Sequence, residues 1–168
     1  MRIRTATAED WPAIWAIFGP ILCQEESYLL SADSSETEAR AYWMDGKVAL
    51  ALAEIDQQVL GAYYLKAAQS GLGDHTANAG FIVAPAARGQ GIGARLCMEA
   101  EAKARSLGFR AMQFSFVVAS NPAVRLWTRL GYKTVGRIPE AYRHRQLGLV
   151  DALVMWKTLL PPAGSATR

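Results

Sequence analysis

Cysteine and histidine are scarce, two of each in 168 residues, and the scarcity narrows the chemistry. Cys23 and Cys97 lie far apart and have neither metal-ligand nor dithiol spacing, so they read as reduced thiols of a cytoplasmic protein. No metal is expected. No apolar run is long enough to span a bilayer. The N-terminal stretch carries Arg2, Arg4, Glu9 and Asp10 where a signal peptide would carry an apolar core. Also missing is a basic cluster interleaved with exposed aromatics; Arg137 to Arg145 comes nearest and is short, so neither nucleic acid nor membrane is indicated as a partner.

The composition that remains is that of a packed protein, 51% hydrophobic and 20% charged. Its length suits one domain, read as residues 1–160 followed by a flexible small-residue tail at 161–168. A net charge of +3 is modest and is compatible with a polyanionic ligand.

The chain is organised around residues 80–96. Phe81 to Val83 is a short β-forming run, and Pro85 cannot donate to a ladder, so a strand should end there. Glycines follow at 89, 91 and 93. After them Ile92, Leu96, Ala100 and Leu107 share one helical face, and Gly108 is placed to stop the helix. A glycine loop opening a helix presents unpaired N–H groups and the positive end of the helix dipole, an anion site suited to phosphate. The bland alternative is a glycine turn that merely caps the helix. A nucleoside-triphosphate loop would need Lys-Ser/Thr after the glycines, and none is present. A dinucleotide fingerprint needs Gly-x-Gly-x-x-Gly and an acidic residue ending the next strand; the spacing differs, and Ala111 to Val118 is free of acids.

The other elements follow from periodicity and punctuation. Met1 to Ala6 alternates as a strand with Ile3 inward. Thr7 and Asp10 form a capping box for a helix whose stripe is Trp11, Ile14, Trp15 and Phe18; Gly19-Pro20 should end or kink it. Gln24 to Ser35 is irregular. A second helix runs from about Ser35 to Met44, capped by Ser34 or Ser35. Val48–Ile55 and Val59–Ala67 form an antiparallel hairpin through Asp56-Gln57-Gln58. His75–Val83 is the strand entering the glycine loop. Arg110–Val118 is another, with Met112, Phe114 and Phe116 on one side and Gln113 and Ser115 on the other. Asn121-Pro122 caps a short helix carrying Ala123, Leu126, Trp127 and Leu130, closed by Gly131. Tyr132–Ile138 is a strand, Pro139–Gly148 a loop and Leu149–Lys157 a last strand. The order β-α-α-β-β-β-α-β-α-β-β indicates an α/β fold with a mixed sheet and helices on both faces.

Arg88-Gly89-Gln90-Gly91-Ile92-Gly93 fits Arg/Gln-x-x-Gly-x-Gly/Ala, and on it the segment resembles the acyl-coenzyme-A loop of GCN5-related N-acetyltransferases (the GNAT superfamily). The element order resembles that superfamily along nearly the whole chain, which implies a mostly antiparallel sheet flanked by helices. Asn121-x-Ala123-x-x-Leu126-Trp127-x-x-x-Gly131-Tyr132 resembles its Asn-x-x-Ala-x-x-Leu-Tyr-x-x-x-Gly-Phe segment, one residue shorter before the Ala. The N-terminal half looks most like the phosphinothricin acetyltransferase branch.

The resemblance implies acetyl-coenzyme A as co-substrate, with pantetheine lying between two splayed strands, His75–Val83 and Arg110–Val118. It implies cofactor contacts from Phe81, Ile82 and Val83 on the first strand and from Arg88, Gly89, Gln90, Gly91, Ile92, Gly93 and Ala94 around the pyrophosphate. Asn121, Val124 and Trp127 should line the pantetheine arm. The Val83 N–H would polarise the thioester carbonyl. Glu26, Tyr28 and Tyr142 fall where the family builds its acceptor pocket.

Two positions depart from the family. Trp127 stands where a Tyr usually protonates the leaving thiolate, and indole cannot do so. Asn78 stands where the phosphinothricin-type enzymes carry a Glu thought to be the base; an amide is no base but can hold a water. Glu26, Asp74, His75 and His144 remain as alternative bases. Tyr132 aligns with a core Phe and reads as structural. Arg143 and Arg145 either favour a carboxylate-bearing acceptor or belong to a solvated basic loop.

Three functions fit these residues. They are N-acetylation of a small amine or amino acid, N-acetylation of a peptide or protein, and acyl-coenzyme-A sensing without chemistry. A homodimer is compatible with each.

Overall fold

The computed structural model describes residues 1–160; the segment read as a tail, 161–168, lies outside the described residues. The elements follow in the expected order: β1 (Arg2–Thr5), α1 (Trp11–Leu22), α2 (Glu36–Met44), β2 (Ala49–Ile55), β3 (Gln58–Ala67), β4 (Thr76–Val83), α3 (Ile92–Ser106), β5 (Ala111–Val118), α4 (Ala123–Arg129), β6 (Lys133–His144) and β7 (Gly148–Thr158). The strands form one sheet in the order β1-β2-β3-β4-β5-β7-β6. Every neighbouring pair is antiparallel except β4 with β5.

Strand alternation divides the core into two layers. Ala51, Tyr63, Leu65, Met112 and Phe114 face α3 and α4, while Leu52, Ala62, Tyr64 and Ile82 face α1 and α2. The stripe of α1 supplies buried Trp11, Ile14 and Phe18, to which Ile17, Ile21 and Leu22 add. The Ser35 cap acts as the sequence implies, whereas the Thr7–Asp10 box closes a 3-10 turn, Ala8–Asp10, just ahead of α1, whose own N-cap is Asp10. The Thr7 N–H donates to Asp10 Oδ2 at 2.8 Å, and Ser35 and Glu38 exchange hydrogen bonds at 2.8 and 3.2 Å.

Several expectations are corrected. Gly19-Pro20 does not end α1, which continues to Leu22. Pro20 deprives the Ala16 carbonyl of its helical donor, but both residues are exposed, so water can serve that carbonyl, and buried Ile21 and Leu22 anchor the turn. The hairpin turn is two residues, Asp56 and Gln57, with φ of 49° and 65°; Gln58 already pairs with Ile55. Leu107 is 44% exposed, and the buried face of α3 is instead Ile92, Leu96, Cys97, Ala100, Glu101 and Ala104.

Most of the segment read as a loop at 139–148 is strand. Tyr142 pairs with Val150, Arg143 with Leu149 and His144 with Gly148. Pro139 is tolerated because β6 is an edge strand and its register shifts between Ile138 and Tyr142. Glu140 sits there at φ 50°, its N–H donating to Asp151 Oδ1 at 3.0 Å. In β5 a register shift between Phe114 and Val117 breaks the expected alternation. Val117 joins the α3/α4 core, and Phe116 turns to meet Tyr142, their ring centroids 6.3 Å apart.

One charged group is buried on α3. Glu101 accepts from Lys157 Nζ at 2.6 and 2.8 Å and from Arg105 at 3.3 Å. Nearby, burial pushes the Cys97 thiol up to about 12, which disfavours its thiolate. Cys23 is exposed.

Candidate active site

The parallel pairing of β4 with β5 is brief, Thr76 with Ala111 and Ala77 with Met112, after which the two strands part. The His75 carbonyl accepts from Arg110 N–H at 2.9 Å, and the Ala84 N–H donates to Leu60 on β3 at 2.8 Å. Alternation therefore turns the backbone groups of residues 79, 81 and 83 toward the gap and those of 80 and 82 toward β3. Phe81 and Val83 thus have the orientation the resemblance implies. Ile82 does not: its side chain is buried against α1 and α2, and its backbone faces Ala62. No register shift occurs between β3 and β4, so the strand is regular through Gly80. Gly80 is required by the Tyr64 ring beneath it.

The glycine loop opens α3 at the far end of the gap. Gly89 and Gly91 adopt φ of 79° and 77°, conformations that side chains resist, with open space around both. Gly91 is the N-cap, so the N–H groups of Ile92, Gly93 and Ala94 have no acceptor within the helix. Gly93 has a different reason to be glycine, since a Cβ there would lie 3.3 Å from Leu126 on α4. Arg88 and Gln90 are exposed at the same edge, and the Gln90 side chain donates to the Ala86 carbonyl at 3.4 Å. N–H groups without helical acceptors, the positive end of a helix dipole and an exposed arginine together suit an anion.

Asn121 lies at the start of α4. Its Oδ1 accepts from Ala123 N–H at 2.9 Å, which leaves the two amide N–H donors for a ligand. Val124 is half-buried on the first turn. Trp127 is 7% exposed and packs under the gap, ring centroids 5.0 Å from Phe81 and 5.1 Å from Phe114. Tyr132 is buried below it, donating to Met112 Sδ at 3.0 Å, which agrees with a structural role.

The residues expected to meet the acceptor lie on the face toward α1 and α2. Asn78 lies on that face, its Nδ2 3.5 Å from Ser115 Oγ, which also receives the Gln113 amide at 3.2 Å. His75 and Asp74 are exposed and precede the strand. Tyr28 reaches in from the loop after α1, and its phenol donates to the Phe81 carbonyl at 2.6 Å. Burial raises the Tyr28 pKa well above the usual phenol range, and the nearby Tyr42 adds to it. Tyr142 O–H donates to the Tyr28 carbonyl at 3.0 Å, and Arg145 donates to the Cys23 carbonyl at 3.0 Å. The tip of the β6–β7 hairpin is thereby tied to the loop after α1. Burial, then the charges of Glu25 and Glu26, raise the Tyr142 pKa. Glu26 is half-buried beside it.

His144 is buried, with Nδ1 accepting from the N–H groups of Gln146 and Leu147 at 3.1 and 3.3 Å. That lone pair is committed to the hairpin turn, so the ring has only Nε2 for other work. Ser115, Gln113 and Phe116 were not singled out from sequence. The alternation of β5 put Gln113 and Ser115 together on a polar side, a signal that could have found them. Phe116 depends on the bulge and carried no such signal. Among the described residues, no group of His, Cys, Asp and Glu side chains could hold a metal ion, and no helix is long and apolar enough to cross a membrane.

The sequence model of the acetyltransferase (GNAT) family matches residues 10–132. The chain belongs to that family. A GCN5-related N-acetyltransferase from Kribbella flavida has the same fold with a TM-score of 0.87 and 38% identity, over 94% of this chain and 96% of that one. The N-acetyltransferase aca1 of Schizosaccharomyces pombe is 38% identical over 109 residues, 62% of this chain and 52% of the relative. The chain thus spans about half the length of that relative. A phosphinothricin acetyltransferase from Sinorhizobium meliloti, solved in complex with acetyl-coenzyme A, superposes with a TM-score of 0.84 at 23% identity, over 99% of this chain and 91% of that one. This last likeness is one of fold.

Proposed function

We propose that this GNAT domain transfers the acetyl group of acetyl-coenzyme A to the amine of a small molecule, such as an amino acid. The observation that carries the reading is the gap between β4 and β5, which ends at the N-terminus of α3 and its glycine loop. The residues present fit the co-substrate. The N–H groups at Gly89 to Ala94, with Arg88, suit a pyrophosphate. The backbone edges of Phe81 and Val83 and the Asn121 amide donors suit the amides of pantetheine. Acetyl-coenzyme A would supply an activated thioester carbonyl, and the Val83 N–H, on the gap side of β4, would stabilise the oxyanion.

A small acceptor is favoured because the acceptor side is closed over. The Tyr142–Tyr28 and Arg145–Cys23 hydrogen bonds join the hairpin to the loop after α1. An extended peptide would need that seam open. Asn78, beside Ser115 on the same face, is positioned to hold a water that carries the amine proton outward.

The test is thiol release from acetyl-coenzyme A across a panel of amino acids, small amines and peptides. Release with small amines supports the reading, and release with peptides alone replaces it by protein N-acetylation. Binding of acetyl-coenzyme A with no release from any amine would leave the sensor.

A further inference from the structure

The departing thiolate must acquire a proton, and the α4 position that supplies one in the family holds Trp127. Its indole cannot supply the proton, and its ring is buried between Phe81 and Phe114. Another hydroxyl must therefore reach the gap, or the proton comes from water. The tyrosines separate cleanly. Tyr132 points down to Met112 Sδ. Tyr63 is 1% exposed on the α3 face, beside Glu99. Tyr64 donates to the hydroxyl of Tyr42 at 3.2 Å, and Tyr42 belongs to α2, so this pair lies on the α2 side. Tyr142 is committed to the Tyr28 carbonyl. Tyr28 remains, with its Oη on the Phe81 carbonyl, one of the β4 backbone groups turned toward the gap beyond the last β4–β5 pair.

We propose that Tyr28 is the general acid, donating its phenolic proton to the sulfur as the thiol leaves. The inference rests on the acetyltransferase reading above. The side chain is held for this task at both ends. Its ring packs edge-on against fully buried Phe18, centroids 4.9 Å apart, and against Tyr42 at 6.2 Å. Its carbonyl is fixed by Tyr142. The Phe81 carbonyl holds the proton in the free protein and releases it to a stronger acceptor.

The proton count closes. As the amine nitrogen bonds to the carbonyl carbon, the carbon–sulfur bond breaks and its electron pair goes to sulfur. Tyr28 gives sulfur a proton, forming the thiol. The phenolate regains one from the acylated nitrogen, whose other surplus proton was lost earlier, when the ammonium became the neutral amine by way of the Asn78 water. No oxidant or further reactant is needed.

Tyr28→Phe keeps the ring and removes only the hydroxyl. Its kcat with acetyl-coenzyme A should fall by roughly 10²–10⁴-fold, the usual worth of a general acid, while the rise in melting temperature caused by acetyl-coenzyme A is retained. With para-nitrophenyl thioacetate, whose thiol leaves unprotonated, the variant and wild type should agree in kcat/KM; a merely structural loss would depress both donors alike. A binding readout is independent of turnover: at one fixed alkaline pH, the thiolate absorbance of bound coenzyme A should be larger in wild type than in Tyr28→Phe. Wild type and variant releasing thiol at equal rates, or an equal deficit with both donors, overturns this inference alone. Wild type that binds acetyl-coenzyme A and acetylates nothing overturns it together with the reading on which it rests.

Discussion

A Cβ atom on Gly80 would lie 2.4 Å from Cε1 of Tyr64 and 2.8 Å from its hydroxyl. The two residues are cross-strand partners, and the ring covers the bare glycine. That ring also stacks edge-on to Trp43 with centroids 5.1 Å apart and donates to Tyr42. Gly80→Ala should therefore push Tyr64 out of the α1/α2 core. Overpacking of this kind costs about 1–3 kcal/mol, which in a chain of this size lowers Tm by roughly 2–12 °C. A double-mutant cycle with Tyr64→Ala checks the cause, since the Gly80→Ala penalty should largely vanish once the ring is gone.

The glycine loop separates binding from packing. Gly91→Val meets no neighbour but must hold φ 77° at the head of α3; Gly93→Val keeps an ordinary backbone and meets Leu126. Both should abolish the rise in Tm given by acetyl-coenzyme A, through loss of backbone approach to the pyrophosphate. Gly93→Val should also lower the ligand-free Tm, through strain between α3 and α4. A folded Gly91→Val that binds acetyl-coenzyme A with unchanged affinity would remove the loop from the site.

The sequence was most legible where glycine, proline and capping residues punctuate it. Ser35 with Glu38, and Gly108 and Gly131 at positive φ, set helix boundaries within a residue or so of those expected. Misreadings occurred where tertiary position overruled a local signal. Pro139 looked like a loop because its tolerance depends on β6 being an edge strand, which no local pattern encodes. Phe116 was assigned to the wrong side because a one-residue bulge inverts alternation from that point. The anion cradle was readable from residues 80–96, because strand, loop and helix are contiguous. The acceptor side was not, because it joins distant segments. Tyr28 and Phe81 lie 53 positions apart, and Tyr142 and Tyr28 lie 114 apart. Nothing near Tyr28 in sequence indicates that its hydroxyl ends on a β4 carbonyl.

Acid should weaken the β1–α1 corner. Arg4 holds Asp10 at 2.6 Å, and this hydrogen bond, helped by the Thr7 N–H, lowers the carboxyl to about 2. A folded-state pKa below the unfolded one means stability that is present above about pH 4. It is lost as pH falls toward 2. Asp10→Asn removes that contribution. The Tm difference between wild type and Asp10→Asn should be largest near neutral pH and shrink between about pH 4 and pH 2. A difference that stays constant over this window would show that the pair contributes nothing through ionisation.

The amine proton is the remaining transfer, and two residues compete for it. Asn78 shares its face of β4 with Gly80 and Ile82, the face toward α1 and α2, and lies 3.5 Å from Ser115 Oγ. His75 is exposed, stands one residue before the strand begins, and uses its carbonyl to start the β4–β5 pairing with Arg110. Strand alternation keeps the two on opposite sides, and β4 has no bulge against β3 to bring them together. Asn78→Ala should therefore lower turnover while leaving acetyl-coenzyme A binding unchanged. His75→Ala should leave both unchanged. Asn78→Glu would add a carboxylate able to accept the proton directly, and the rising limb of the pH–rate profile should move to lower pH. If His75→Ala loses activity and Asn78→Ala does not, the histidine is the base and the Asn78 assignment falls.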